Sequence, residues 1–207
     1  MTPARRRRSA GAGGGRGERA GGERTGGEQV RLFVAVDLPD DVREALAGWA
    51  ADRGGDLPAL RILPARSLHL TLCFLGWRPG VDAGHIGRIA LAGAMPIGEV
   101  AVGEATWLPD RRPRVLAVDL EDPKGRLGQL QGRVSDALAA EVGYRPESRP
   151  FRPHVTVARV RRGERMRPRP LPDPPAARFA PPALTLYRSR LSRAGAEYEA
   201  LARAELS

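Results

Sequence analysis

The sequence predicts an α+β protein whose sheet is mixed or antiparallel. Short runs of β-branched and aromatic residues alternate with amphipathic helical segments along the 207-residue chain. Several predicted strands are joined by turns too short for the crossover that parallel neighbours require. The sequence contains neither a GxGxxG nor a P-loop pattern, which would have favoured a doubly wound parallel sheet.

The first half of the chain alternates strand and helix. The run Arg31–Leu38 is rich in β-branched and aromatic residues and is predicted to be a strand buried on at least one face. Pro39-Asp40-Asp41 starts a helix, and Gly54-Gly55 ends it. A second strand is predicted over 67–75 and a short helix over 82–95.

The second half is predicted to contain two strands, a long helix, a further strand and a closing hairpin. Asp122-Pro123 opens the helix, whose apolar residues recur at helical spacing, and Gly143 ends it. The segment 161–182 is interpreted as a loop because it holds five prolines between positions 168 and 175. The strands are predicted at 99–108, 114–121, 152–160, 183–191 and 198–205.

The composition favours an anionic partner. The net charge is +10 and the isoelectric point is about 11.2, which RNA, DNA and an anionic membrane surface would all complement. Only one of the 34 basic residues is a lysine, a bias that GC-rich coding also produces. The charge alone therefore does not choose among these partners.

Residues 1–28 are expected to form a disordered Arg/Gly-rich tail ahead of a single domain over 29–207. The tail holds seven arginines and three glutamates and lacks a periodic apolar face. It therefore cannot bury enough surface to offset the entropy cost of ordering. It would act either as a loose electrostatic arm for RNA or as an extension with no role of its own.

The chain is expected to be cytoplasmic and not to enter a membrane. No apolar run approaches the roughly 20 residues needed to cross a bilayer, and glycines rather than an apolar segment follow the first arginines. The single cysteine, Cys73, excludes an internal disulfide and suits a reducing compartment. Cys73 itself is expected to be a structural residue, although strand alternation would let it border a groove.

Two short segments resemble each other and concentrate the chemistry. Leu68-His69-Leu70-Thr71-Leu72 and Pro153-His154-Val155-Thr156-Val157 both read His-x-Thr-x with an aliphatic residue at each x. Because side chains alternate faces along a strand, each segment presents an imidazole and a hydroxyl on one face and two aliphatic anchors on the other. Facing each other across a groove, the two strands would offer paired histidines and paired hydroxyls.

This pattern suits phosphodiester chemistry without a metal. One histidine can remove a proton from the attacking oxygen while the other donates a proton to the leaving oxygen, and the hydroxyls can bind phosphate oxygens. A single His-x-Thr on a strand usually has no function, but two of the three histidines occupy matching motifs. A zinc site is the weaker interpretation, since no further ligand lies at suitable spacing. The third histidine, His85, is predicted to be a solvated surface residue.

These residues resemble those of the 2H phosphoesterase superfamily and, within it, the RNA 2′,3′-cyclic phosphodiesterases, also called 2′-5′ RNA ligases. The segments that carry the resemblance are Arg31–Pro39, Leu68–Gly76, Arg114–Leu116, Arg149–Arg159 and Leu191–Tyr198. The N-terminal tail lies outside it.

The resemblance implies two pseudo-symmetric lobes with outer helices and a central groove, to which each lobe contributes one motif. It implies hydrolysis of RNA 2′,3′-cyclic phosphate ends, tRNA fragments among them, to 2′-phosphomonoesters, with 2′-5′ RNA ligation as a further activity. It implies no metal and no organic cofactor, and a monomer is expected. In this scheme His69 donates a proton to the leaving oxygen, His154 activates water, and Thr71, Thr156 and Arg159 hold the phosphate.

Two features depart from this scheme. Strict alternation would place Arg159 on the buried face with Val155 and Val157, so its assignment requires the strand to bend. Ile62 stands where the family often has a tryptophan, which leaves the base-contacting wall open to other aromatic residues, with Phe33, Phe151 and Tyr187 as candidates.

Two alternative functions also remain. The first is a phosphodiesterase that acts on another small cyclic phosphate. The second is an RNA- or nucleotide-binding module without turnover, against which the presence of both His69 and His154 argues.

Overall fold

A computed structural model of the chain describes residues 28–54, 56–192 and 195–206. The predicted tail lies outside these ranges apart from Glu28. Within them, the strands are β1 Gln29–Val36, β2 Leu60–Ile62, β3 Leu70–Pro79, β4 Val100–Leu108, β5 Val115–Glu121, β6 His154–Val160, β7 Arg178–Phe179, β8 Ala183–Ser192 and β9 Gly195–Glu205. The helices are α1 Asp40–Gly54, α2 Ala83–Leu91 and α3 Arg126–Val142.

The strands form one sheet that divides into two halves. Its order is β7-β4-β5-β6-β3-β1-β8-β9, with β2 paired to the end of β6, and each described strand pair is antiparallel. In the middle of this strand order, β3 and β6 have one described pair of directly opposite residues, Leu70 and Val155. The α+β prediction with two lobes is confirmed, and the described sheet is antiparallel rather than mixed.

The helices cover the apolar face of this sheet. α1 packs on β2 and β6, α3 packs on β3, and α2 packs on α3, β8 and β9. α3 buries the residues predicted at helical spacing, among them Leu127, Leu130 and Leu138, and each such side chain contributes roughly 1.5–3 kcal/mol by leaving water. None of the helices in the described ranges has the length and apolar character required to cross a membrane.

Two predicted boundaries are wrong for local reasons. Residues 65–67 form a single helical turn, closed by a hydrogen bond from the Ser67 amide to the Pro64 carbonyl, so β3 begins at Leu70 rather than Ser67. At its other end β3 continues past Gly76, which has a φ of +70° that an L side chain would resist. The strand therefore extends beyond the predicted end at position 75.

The start of α3 and the loop over 161–182 also differ from the prediction. Asp122 is followed by a turn that ends at Gly125, and the helix begins only at Arg126. Asp122 still caps the helix, because its Oδ2 accepts a hydrogen bond of 2.6 Å from the Leu127 amide. Within the predicted loop, Arg178 and Phe179 follow the cluster of five prolines over 168–175 and pair with β4 as the short strand β7.

Candidate active site

The first motif holds His69 through both ring nitrogens. Nδ1 lies 2.9 Å from the Ser67 carbonyl oxygen, and Nε2 lies 3.1 Å from the Thr71 hydroxyl. A carbonyl oxygen only accepts, so Nδ1 carries the proton and donates it to Ser67. In the neutral ring, Nε2 therefore accepts from Thr71 and is the nitrogen available to a substrate.

The second motif repeats the contact made by Nδ1. His154 Nδ1 donates to the Arg152 carbonyl oxygen at 2.8 Å, again two residues before the histidine. Arg152 is held in turn by Asp119, to which its Nε and Nη2 donate at 3.0 and 2.6 Å. This bidentate pair raises the pKa of Arg152 and keeps it charged. Both histidines thus share one tautomer, which leaves Nε2 free for acid–base chemistry.

Aromatic rings surround His69. The Phe33 ring stacks on the imidazole with the centroids 4.8 Å apart, and Tyr198 meets its edge at 5.1 Å. Burial among these rings lowers the pKa of His69 from 6.5 to about 4. The Ser67 hydrogen bond opposes this shift, while the Arg159 guanidinium and the neighbouring His154 add to it. In the empty groove, His69 is therefore neutral at pH 7.

Each motif strand carries a β-bulge directly after its threonine. In β3, Val34 pairs with Cys73 and Ala35 with Thr71, so Leu72 is the extra residue. In β6, Val157 is the extra residue, because the partners of Thr156 and Ala158 are adjacent on β5. A bulge interrupts the two-residue alternation, so the side chains directly after it lie on the opposite face from the one that alternation predicts.

These bulges correct the predicted side-chain faces beyond the motifs. Arg159 is exposed and lines the groove, so the prediction from strict alternation that it points into the core is wrong. Cys73 moves the opposite way and is only 1% exposed, and its burial raises the pKa of the thiol to about 11. Cys73 is therefore the structural residue that was expected.

A cavity of about 440 Å³ lies at this face of the sheet. It brings together His69, Thr71 and Arg159 of the predicted site. His154 and Thr156 do not line it, but both are half-buried on the adjacent strand. The antiparallel pair Leu70–Val155 implies that His154 neighbours Thr71 and that Thr156 neighbours His69.

The cavity is also lined by an aromatic residue that was not a sequence candidate. Phe74 lines the cavity, is 41% exposed, and has the Arg31 guanidinium 4.5 Å above its ring. Phe74 follows His69 by five positions, as Arg159 follows His154, which is a spacing that the paired motifs could have suggested. The candidate Phe33 is only 2% exposed and supports the His69 ring instead.

Tyr187 also has a supporting role rather than an open face. Its ring stacks on Phe33 with the centroids 5.2 Å apart, and its hydroxyl donates to Asp37 at 2.7 Å. Asp37 is buried and accepts a second bond of 3.0 Å from the Thr185 hydroxyl. Asp37 thereby fixes the position of Tyr187. Tyr187 packs against Phe33, and Phe33 in turn packs against His69.

The chain was compared with protein-family models. The model of the 2′-5′ RNA ligase superfamily matches residues 31–193, which include both His-x-Thr-x motifs. The chain belongs to the 2′-5′ RNA ligase superfamily. This confirms the resemblance drawn from the motifs.

Members of the 2′-5′ RNA ligase superfamily with curated names are similar over most of the chain. The RNA 2′,3′-cyclic phosphodiesterase of Escherichia coli is 32% identical over 85% of this chain and 96% of its own length. The Thermus thermophilus protein of the same name is 33% identical over 83% of this chain and 88% of its own length. A Geobacillus stearothermophilus protein of that name is 30% identical over 84% of this chain, which spans only 57% of that relative.

Solved structures from the 2′-5′ RNA ligase superfamily have the same fold. E. coli LigT complexed with 3′-AMP superimposes with a TM-score of 0.74 at 31% identity, over 87% of this chain and 99% of LigT. LigT complexed with phosphate gives a TM-score of 0.69 at 28% identity, over 86% and 98% of the two chains. The groove described above therefore lies in a fold that binds phosphate-bearing ligands in a relative.

Proposed function

We propose that this protein is an RNA 2′,3′-cyclic phosphodiesterase, which opens the cyclic phosphate at an RNA end to a 2′-phosphomonoester. The observation that carries the proposal is the matched pair of histidines, each with Nδ1 bonded to a backbone carbonyl and Nε2 available. The similar proteins of that name support the choice of substrate.

The reaction requires one proton to be removed and one to be delivered. His154 Nε2 accepts a proton from water as the water oxygen attacks phosphorus. The bond between phosphorus and O3′ then breaks, and His69 donates a proton from Nε2 to that oxygen. The products are a 3′-hydroxyl and a 2′-phosphomonoester, so that atoms and charge balance.

The remaining groove residues stabilise the charge on the phosphate. The Thr71 hydroxyl turns from His69 Nε2 to a nonbridging oxygen when the substrate enters, and Thr156 acts in the same way from the other motif. The Arg159 guanidinium neutralises the charge that develops in the transition state. Phe74 provides an exposed ring on which the terminal base can stack.

The low pKa of His69 makes its protonation dependent on the substrate. The residue is neutral in the empty groove, whereas a general acid must carry the proton. A phosphodiester brings a negative charge next to the imidazole and offsets the charge of Arg159, so the pKa of His69 rises on binding. The substrate thus creates the acid that its own cleavage requires.

The decisive experiment uses the purified protein and a short RNA that ends in a 2′,3′-cyclic phosphate, with EDTA present. A 2′-phosphate product, identified by mass and by its sensitivity to phosphatase, is the expected result. Activity is expected to be equal with and without EDTA, since none of the described residues form a cluster of three His, Cys, Asp or Glu side chains. Binding without turnover would support the RNA-binding module, and turnover of another cyclic phosphate alone would support the other alternative.

The proposal also covers the RNA partner, the location and the oligomeric state of the protein. The net charge of +10 is compatible with RNA as the partner. The proposal includes tRNA fragments among the substrates and 2′-5′ ligation as a further activity. We propose a cytoplasmic monomer in which residues 29–207 act as one domain and the N-terminal tail increases the rate of encounter with RNA.

A further inference from the structure

Arg61 lies beside Arg159 at the edge of the groove. The two residues are directly opposite each other in the antiparallel pairing of β2 with β6, so their side chains are on the same face. Both line the cavity that contains His69 and Thr71. Like charges directly opposite each other destabilise a strand pair, and a bound anion removes this cost.

Within the part of the chain that the structure describes, the two guanidinium groups have no protein counter-charge. Among the described residues, the six ion pairs involve other arginines, and no carboxylate lies within 4.0 Å of Arg61 or Arg159. Arg61 is nevertheless half-buried, since its guanidinium passes close to Gly195 of β9. The Arg61 Nη1 atom lies where a Cβ at Gly195 would stand, so the guanidinium packs closely against the backbone of β9.

The groove continues beyond Arg61 into a second, smaller cavity of about 70 Å³. The two cavities share Arg61, Gly195 and Tyr198. Arg66 also lines the second cavity, together with the exposed carboxylate of Glu197. Arg159, Arg61 and Arg66 therefore lie along the two adjoining cavities.

We propose that Arg61 binds the phosphodiester that joins the terminal nucleotide to the rest of the RNA strand. This inference rests on the proposed function. In the proposed mechanism the reacting phosphate lies between β3 and β6, where the two motifs meet, whereas Arg61 lies on β2 and lines both cavities. A terminal nucleotide with a 2′,3′-cyclic phosphate has one further phosphate, on its 5′ oxygen, and this is the group left for Arg61 to bind.

Arg61 would consequently determine specificity for RNA ends over free cyclic mononucleotides. A nucleoside 2′,3′-cyclic phosphate lacks the 5′ phosphodiester and gains nothing from Arg61. Hydrogen bonds to charged groups contribute roughly 1.5–3 kcal/mol, which corresponds to a factor of about 10 to 100 in kcat/KM between the two substrates.

The test compares two substrates, adenosine 2′,3′-cyclic phosphate and the dinucleotide ApA with a 2′,3′-cyclic phosphate end. The wild-type protein should prefer the dinucleotide, and Arg61→Ala should lower kcat/KM for the dinucleotide about tenfold more than for the mononucleotide. Arg61→Lys should retain part of the preference. Arg133→Ala is the matched control, because Arg133 is an exposed arginine on α3 outside both cavities.

A second measurement follows the salt dependence of binding to ApA with a 2′-phosphate end. Loss of one phosphate contact should reduce the slope of log Kd against log salt concentration by about 0.7 in Arg61→Ala. Equal losses on both substrates, or an unchanged preference for the dinucleotide, would overturn the role of Arg61. If the wild-type protein turned over neither substrate, the proposed function itself would be refuted.

Discussion

Leu70 of β3 and Val155 of β6 form the cross-strand pair that joins the two halves of the sheet, and each directly follows a motif histidine. Both side chains are fully buried, which holds this pair in the core. The residues before and after such a pair along each strand point to the opposite face of the sheet. The two histidines and two threonines therefore converge on the face opposite to Leu70 and Val155. The symmetry of the proposed site thus follows from one pair of aliphatic residues.

Replacement of either motif histidine should abolish turnover. His69→Ala and His154→Ala each remove one of the two proton-transfer groups, and a positioned acid or base contributes roughly 10²–10⁴-fold to the rate. The measurement is kcat on the RNA with a cyclic phosphate end. His85→Ala is the control, because His85 is exposed on α2. Full activity of either motif variant would refute the two-histidine mechanism.

The sequence was sufficient to predict the motifs but not the side-chain faces beyond them. The motif residues are local, and alternation correctly placed His69 with Thr71 and His154 with Thr156 on one face of their strands. The bulges at Leu72 and Val157 depend on how β3 and β6 pair with their neighbours, which no local pattern encodes. For this reason strict alternation conflicted with the assignment of Arg159 to the phosphate, and Phe74 was overlooked.

The charge of Arg159 should matter more to the rate than to binding. Arg159→Ala removes a guanidinium aimed at the reacting phosphate, so we expect kcat to fall roughly 10²–10³-fold. Arg159→Lys keeps the charge but loses the bidentate geometry and should recover only part of this loss. Kinetics on adenosine 2′,3′-cyclic phosphate isolate this effect from the rest of the RNA. A change confined to KM would argue that Arg159 contributes to binding alone.

The exposed ring of Phe74 in the groove should affect mainly KM. Phe74→Ala removes the exposed ring of the groove, and stacking on an aromatic side chain contributes roughly 1–3 kcal/mol per base. We expect KM to rise about tenfold, while Phe74→Trp should preserve it. Trp77→Ala is the control, since Trp77 is a 62% exposed aromatic residue of the same strand that does not line the cavity. Equal effects of Phe74→Ala and Trp77→Ala would contradict a specific stacking role.

Asp37 should be required for stability. Asp37→Ala leaves the hydroxyls of Thr185 and Tyr187 without their acceptor, which should lower the free energy of unfolding by about 3 kcal/mol. Urea denaturation measures this change. Tyr187→Phe removes one donor and keeps the ring on Phe33, so its cost should be about 1 kcal/mol. If the two variants were equally stable, the hydrogen bonds to Asp37 would not account for its burial.

The pKa of His69 should make the stability of the empty protein dependent on pH. The folded value is about 4 and the ordinary value 6.5, so between these limits the unfolded chain binds a proton that the folded chain does not. The free energy of unfolding should therefore fall as the pH falls, by about 1.4 kcal/mol per pH unit in this window. The full contribution should be present above pH 6.5. Urea denaturation at pH 7 and at pH 5 measures the slope.

The same denaturation series on His69→Gln isolates this residue from other titrating groups. The variant cannot take up the proton, so its stability should fall less steeply between pH 7 and pH 5 than that of the wild-type protein. If the stability of the wild-type protein and of His69→Gln changed equally with pH, the aromatic rings around His69 would not hold it neutral. In that case the substrate would not be needed to create the acid, because His69 could carry its proton in the empty groove near neutral pH.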